Sequence, residues 1–129
     1  MIILFVEDDP MNRRVVRDML EVVGAQMSEA PDAETGLRMI DEKPYTVVLM
    51  DIRMPGMDGL TAIRKIREES TTSAQVPVIV VTADIAPDLK ARCMDAGADD
   101  VILKPVAMGE LIGSIGRILA KNEGDLVLH

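Results

Sequence analysis

The chain of 129 residues has one histidine, and it is the last residue, His129. That argues against a histidine-based catalytic triad, a histidine-rich metal site and a role as histidine phosphodonor. A single cysteine, Cys93, rules out an internal disulfide and suits a reducing, cytoplasmic setting. Cys93 falls on the inner or flanking face of a helix with no base nearby, and reads as a packing residue. Tryptophan is missing and aromatic residues make up only 2% of the chain, so the core must rest on Val, Ile, Leu, Ala and Met. The 10 methionines mostly fall on apolar stripes and read as core filling. Basic residues are outnumbered 22 to 14, for a net charge of −8, which argues against direct contact with nucleic acid or an anionic membrane. Long apolar runs are also lacking. Residues 2–6 are apolar but lead straight into Glu7-Asp8-Asp9, too short for a membrane span and without the basic segment of a signal peptide.

What remains is an ordinary globular composition, with 48% hydrophobic and 28% charged residues, enough for one domain with its own core. Residues 1–122 read as that domain and 123–129 as a short tail, whose Leu126-Val127-Leu128 has the composition to dock on a surface. Four short apolar runs, at 2–6, 47–50, 78–81 and 101–103, read as strands, and 25–29, Ala-Gln-Met-Ser-Glu, as a weaker one. Between and after them lie segments of helical period. Asp9-Pro10 opens the first, with Val15, Val16, Met19, Leu20 and Val23 inward and Gly24 as its stop. Asp32 or Pro31 opens the second, which buries Ala33, Leu37 and Ile40 and ends at Lys43-Pro44. The third turns Leu60, Ile63 and Ile66 inward and Arg64, Lys65, Arg67 and Glu68 outward, and a polar loop, 70–73, follows it. The fourth spans 85–96, with Pro87 in its first turn and Gly97 beyond its end. The fifth spans about 107–121, with Leu111, Ile112, Ile115, Ile118 and Leu119 on one stripe. Strands alternating with helices imply a parallel sheet covered on both faces, an α/β fold.

Parallel sheets hold ligands at the carboxyl ends of their strands. Here the first strand ends at Glu7-Asp8-Asp9, the third at Asp51, the fourth at Thr82 and the fifth at Lys104. Each alone reads as a loop cap; together they form a polar cluster on one sheet edge. Several carboxylates without His or Cys make a hard oxygen site, suited to Mg²⁺ or Mn²⁺ rather than zinc. Without a cation the carboxylates repel each other, and one should have a raised pKa. Lys104 adds a positive charge and Thr82 a hydroxyl, so the cluster suits a tetrahedral anion beside a carboxylate that can attack phosphorus. Asp9 reads as a helix cap rather than a ligand, and Asp58-Gly59 as turn chemistry.

The segments Val6-Glu7-Asp8, Met50-Asp51-Ile52-Arg53-Met54-Pro55-Gly56-Met57-Asp58-Gly59, Val81-Thr82-Ala83 and Leu103-Lys104-Pro105 together resemble the receiver domain of two-component response regulators. The resemblance covers about residues 2–121, with four motifs in order. It implies a doubly wound five-stranded parallel sheet of order 2-1-3-4-5 with five helices, the flavodoxin-like or CheY-like fold. It further implies that Asp51 accepts a phosphoryl group from the phosphohistidine of a sensor histidine kinase or a histidine phosphotransfer protein. Asp8, Asp51 and the backbone carbonyl of Arg53 would bind Mg²⁺, and Glu7 would reach it through a water. Thr82 would hydrogen-bond the phosphoryl group, Lys104 would pair with it, and Pro105 would follow a cis peptide bond. Ala83, next to Thr82, would modulate the site. Arg13, Arg14 and Arg17 read as a solvated face or as part of a contact with the phosphotransfer partner, and Met54 and Met57 as part of a kinase-docking surface.

Two positions depart from the family pattern. Val101 stands where the family usually has Tyr or Phe, so transmission would fall to the Thr82 loop and the helix after it, or Val101 simply packs the sheet edge. Arg53 and Asp84, two residues after Asp51 and Thr82, carry opposite charges and are expected to pair across the mouth of the site. The chain is expected to be a single-domain regulator with an unknown downstream protein target, acting by protein–protein binding or as a relay or phosphate sink. It would act stoichiometrically and not as an enzyme. A Mg²⁺-dependent phosphohydrolase of the haloacid dehalogenase type would want an acid where Arg53 stands. A phosphorylation-independent adaptor would bind its partner equally well with Asp51→Asn.

Overall fold

The computed structural model describes residues 1–69 and 72–127, and of residues 72 and 123–127 the backbone only. Among the described residues there are five parallel strands, β1 (Ile2–Val6), β2 (Gln26–Ala30), β3 (Val47–Met50), β4 (Val78–Thr82) and β5 (Asp100–Leu103), in the order β2-β1-β3-β4-β5. Parallel neighbours cannot be joined by a tight turn, so each connection crosses a face of the sheet. Helices α1 (Pro10–Val22), α2 (Ala33–Glu42), α3 (Gly59–Glu68) and α4 (Leu89–Ala96) make these crossings, and α5 (Met108–Val127) closes the chain. This is the doubly wound order expected.

The central strands are apolar throughout because both faces are covered. Leu4, Val6, Val48, Met50, Val78 and Val80 point to one side, where they pack with Ala33 and Ile40 of α2, Ala62, Ile63 and Ile66 of α3, and Leu89 and Cys93 of α4. Ile3, Phe5, Val47, Leu49, Ile79 and Val81 point to the other, against Val16 and Leu20 of α1 and Leu111 and Ile115 of α5. Cys93 is fully buried, as a packing residue should be. Asp9, Asp32 and Asp58 cap α1, α2 and α3 by accepting from the backbone N–H of Met11, Thr35 and Thr61 at 2.9, 2.7 and 3.0 Å. No helix among the described residues is long and apolar enough to cross a membrane.

Several boundaries differ from expectation. β2 lies one residue later than 25–29 and ends at Ala30. The helix expected over 85–96 begins only at Leu89, because Asp84 Oδ1 accepts from the backbone N–H of Ala86 at 2.9 Å and holds the chain in a turn. Helix α5 passes the expected end near Lys121 and reaches Val127. Between them Gly124 disfavours helix by about 1 kcal/mol, and Asn122 and Asp125 by up to about 0.7 kcal/mol each. Residues 70 and 71 of the expected polar loop, and Leu128 and His129 of the tail, lie outside the described residues.

Arg67 is the clearest miss. Helical periodicity puts it outward, yet its side chain is only 23% exposed. It donates to the carbonyls of Gly97, Ala74 and Val76 at 2.9, 2.8 and 2.7 Å and pairs with Asp99 at 3.1 Å. Gly97 is also where the guanidinium stem passes; a Cβ there would come within 2.6 Å of Arg67 Cγ. One side chain thus ties α3 to the loop before β4 and to the turn before β5. Arg67→Met removes the donors and leaves the carbonyls and Asp99 behind, and should destabilise the fold by about 3 kcal/mol or more in urea unfolding.

Candidate functional site

The sheet ladder continues past the strand ends and sets the site. Glu7 N–H donates to Ala30 O at 2.9 Å, Asp51 N–H to Val6 O at 3.0 Å, and Lys104 N–H to Thr82 O at 2.7 Å. Because β1, β3, β4 and β5 are consecutive neighbours, the residues that follow them come out side by side. Glu7, Asp8 and Asp51 each bring a carboxylate oxygen within 4.8 Å of the other two. Glu7 and Asp51 are buried, whereas Asp8 faces solvent.

Lys104 reaches into this cluster from β5. Its Nζ lies 2.8 Å from Glu7 Oε1 and 3.2 Å from Asp51 Oδ2, and so bridges the two buried carboxylates. Burial alone would lower the Lys104 pKa, but Glu7 and Asp51 outweigh it and hold it above the ordinary lysine value. The Lys104–Pro105 peptide bond is cis, as expected. Asp51 Oδ1 accepts from the backbone N–H of Arg53 at 3.1 Å, which fixes the carboxylate on its other side. Thr82 is fully buried at the end of β4, between the strands that carry Asp51 and Lys104, and its Oγ1 accepts from Asp84 N–H at 3.1 Å. Ala83 and Pro105 are exposed beside them.

Across the mouth, Arg53 and Asp84 form the expected ion pair at 2.6 Å, which, together with the Ala86 N–H, holds the Asp84 carboxyl below its usual pKa. Val101 is half-buried and packs against the core on the α4 side. Met54 is buried, so it cannot belong to a docking surface, while Met57 is half-buried and packs on the same core. Arg13 and Arg17 pair with Glu29 on β2 at 3.2 and 2.8 Å; Arg13 is withdrawn from solvent by this, whereas the Arg17 side chain stays 39% exposed and Arg14 is exposed.

Three supporting residues escaped the sequence. Asn12 Nδ2 donates to Glu7 Oε1 at 2.7 Å, and Arg13 donates to the Glu7 backbone carbonyl at 2.7 Å. The signal available was position alone, since both lie in the first turns of α1 just after the Asp9 cap. Gly59 is the third. A Cβ there would collide with the Asp51 carbonyl oxygen and lie 2.7 Å from Ile52 Cα, so only glycine lets α3 start against the backbone that follows Asp51. Its place in an Asp-Gly turn concealed this.

A hard divalent cation fits these residues. The donor set is three carboxylates, and Glu7 Oε2 is buried with no hydrogen-bond partner, an acceptor in want of a positive or donating group. Burial raises the Glu7 pKa to about 7, with Asp51 adding to the rise and Lys104 and Asn12 opposing it. The charged form is therefore the disfavoured one, and below that pH a cation must displace a proton. Mg²⁺ affinity should fall by up to about tenfold per pH unit below about pH 7 and level off above it. Calorimetry in buffers of different ionisation enthalpy should show proton release at pH 6, and none in Glu7→Gln.

The sequence profile described as "Response regulator receiver domain" matches residues 3–116. The chain is 37% identical over 111 residues to the sensor histidine kinase RcsC of Salmonella typhi, covering 86% of this chain and 11% of that protein. It is 37% identical over 121 residues to the uncharacterized transcriptional regulatory protein YkoG of Bacillus subtilis, covering 93% of this chain and 51% of that one. The chain thus spans between about a tenth and a half of the length of these relatives. Among solved structures it superimposes, with a TM-score of 0.82 and 34% identity, on the receiver domain of a sensor histidine kinase from Pseudomonas aeruginosa PAO1 that has a magnesium ion coordinated in its active site cleft. That match covers 90% of this chain and 94% of the other. A putative response regulator from Chloroflexus aurantiacus matches with a TM-score of 0.87 and 27% identity over 92% of this chain and 97% of its own.

Proposed function

Because the chain belongs to the response regulator receiver domain family, we propose that Asp51 accepts a phosphoryl group from a phosphohistidine of a sensor kinase or phosphotransfer protein. The observation that carries this reading is the Lys104 ammonium bridging Glu7 and Asp51 at 2.8 and 3.2 Å beside a three-carboxylate cluster. Asp8, Asp51 and the Arg53 backbone carbonyl would hold Mg²⁺, with Glu7 behind them reaching it through a water. The ion, when bound, relieves the repulsion between the carboxylates and neutralises charge on the phosphoryl oxygens.

The remaining work falls to the side chains. An Asp51 carboxylate oxygen forms a bond to phosphorus as the P–N bond to the imidazole breaks, and the nitrogen keeps the electron pair. Lys104 leaves its carboxylate partners to pair with a phosphoryl oxygen, and the Thr82 hydroxyl donates to another. The domain acts stoichiometrically, with one phosphoryl group per chain. Its relatives carry this domain within sensor kinases and within a transcriptional regulatory protein; the chemistry proposed is the domain's own and independent of what it is joined to. The exposed Val15 on α1 lines a cleft with Lys104 and Pro105 and offers an apolar contact to a helical phosphodonor.

Incubation with acetyl phosphate tests the reading. Intact mass should rise by one phosphoryl group in Mg²⁺ and stay unchanged in EDTA; no rise in either counts against it. The Arg53–Asp84 pair closes the mouth toward attacking water, so Arg53→Ala should shorten the phosphoryl half-life by about two- to fivefold, a modest change for an exposed pair. An unchanged half-life would remove the pair from the account.

A further inference from the structure

Glu7 is held by more than its ion pair. Asn12 Nδ2 and Lys104 Nζ both donate to the same oxygen, Oε1, at 2.7 and 2.8 Å, while Oε2 is buried with no partner. The backbone of Glu7 is gripped as well, since Arg13 donates to its carbonyl at 2.7 Å and is braced by Glu29 at 3.2 Å. A carboxylate free to turn would share its donors between both oxygens, or rotate its bare oxygen toward one. Two donors on one side prevent this and leave the bare oxygen facing the other way. Lys104 cannot be the permanent anchor, because it also bridges to Asp51 and is the cation nearest to where a phosphoryl group would arrive. When it turns away, Oε1 keeps a partner only if Asn12 remains.

We propose that Asn12 is a positioning residue of the phosphoryl-transfer site: it fixes Glu7 Oε1 so that Oε2 is presented to the cation, and it keeps Oε1 partnered when Lys104 turns to the phosphoryl group. This rests on the reading of Asp51 as phosphoacceptor and extends it to a residue outside the charged cluster. Asn12 is half-buried on α1 and contributes no charge, so its effect must pass through Glu7.

The test uses Asn12→Leu, which removes the donor and substitutes a residue of higher helix propensity, so that α1 is retained. Mg²⁺ binding measured by calorimetry, with no phosphodonor present, should weaken by up to about tenfold, the low end of the range for losing an outer partner of a metal ligand, since Glu7 itself stands behind the direct ligands. Phosphorylation by acetyl phosphate at saturating Mg²⁺ should slow by about tenfold as well. In a Glu7→Ala background the same substitution should change neither quantity. Unaltered Mg²⁺ affinity and rate in Asn12→Leu overturn the proposal, and so does an undiminished effect in the Glu7→Ala background. Failure of the wild-type protein to take up a phosphoryl group strikes the phosphoacceptor reading instead, and the Mg²⁺ titrations still decide whether Asn12 positions Glu7.

Discussion

Asp51→Asn should abolish phosphoryl uptake while leaving the protein folded. The amide has almost the shape of the carboxylate, so the 4% exposed site can accept it. It has no nucleophilic oxygen that can form a stable acyl phosphate, and the loss should therefore be complete. The fold should feel the change modestly. Asp51 Oδ1 accepts from Arg53 N–H at 3.1 Å and Oδ2 from Lys104 at 3.2 Å. An amide keeps one of these acceptors and turns a donor toward the other group, which costs about 1–2 kcal/mol. Asp51 is also one of the groups that raise the Glu7 pKa, so the substitution should let Glu7 ionise at lower pH. Intact mass after acetyl phosphate and Mg²⁺ reads the main effect. A mass increase equal to that of wild type would mean that another carboxylate of the cluster, Asp8 or Glu7, is the acceptor.

Lys104→Met should slow phosphorylation by about 10²- to 10³-fold, the usual cost of removing a preorganised group aimed at developing negative charge. The ammonium is 20% exposed and held between two buried carboxylates, so it is placed before the phosphoryl group arrives and needs little reorganisation. The substitution should not weaken Mg²⁺ binding at high pH, since it removes a positive charge that competes with the ion. That split, a lost rate with a retained affinity, separates Lys104 from Asn12, whose replacement should lower both. Lys104 lowers the Glu7 pKa, so its loss should push Glu7 further up and move the pH dependence of Mg²⁺ binding to higher pH. Lys104→Arg should not restore the rate, because a planar guanidinium does not fit a site shaped around a point charge. Equal rates for Lys104→Met and wild type would remove the lysine from the mechanism.

The strands and the charged cluster were legible because each central strand is an apolar run that stops at a polar residue, and such a run tolerates one register only. Val47–Met50 followed by Asp51 could not be slid by one residue without burying the carboxylate within the sheet. What one helix face says about a loop that crosses it was not legible. Arg67 has the spacing of an outward residue, and only the folded chain brings the carbonyls of Ala74, Val76 and Gly97 around it. The ion pairs of Arg13 and Arg17 were hidden for the same reason, since Glu29 lies on β2 and not on their own helix. The late start of α4 was hidden because Pro87 is as acceptable in a turn as in a first helical turn, and the Asp84–Ala86 hydrogen bond settles it as turn. Asn12 carried no pattern at all: one amide in a first helical turn is ordinary until Glu7 Oε1 is found against it.

The central claim is that the phosphoryl group is carried by Asp51 itself. After treatment with acetyl phosphate and Mg²⁺, borohydride reduces an aspartyl phosphate to the alcohol, which marks the acceptor as homoserine in peptide mass mapping. The account predicts homoserine at Asp51 alone, formed in Mg²⁺ and not in EDTA. Homoserine at Asp8, the one-carbon-longer hydroxynorvaline at Glu7, or no reduced residue anywhere while the intact mass has risen, would contradict it.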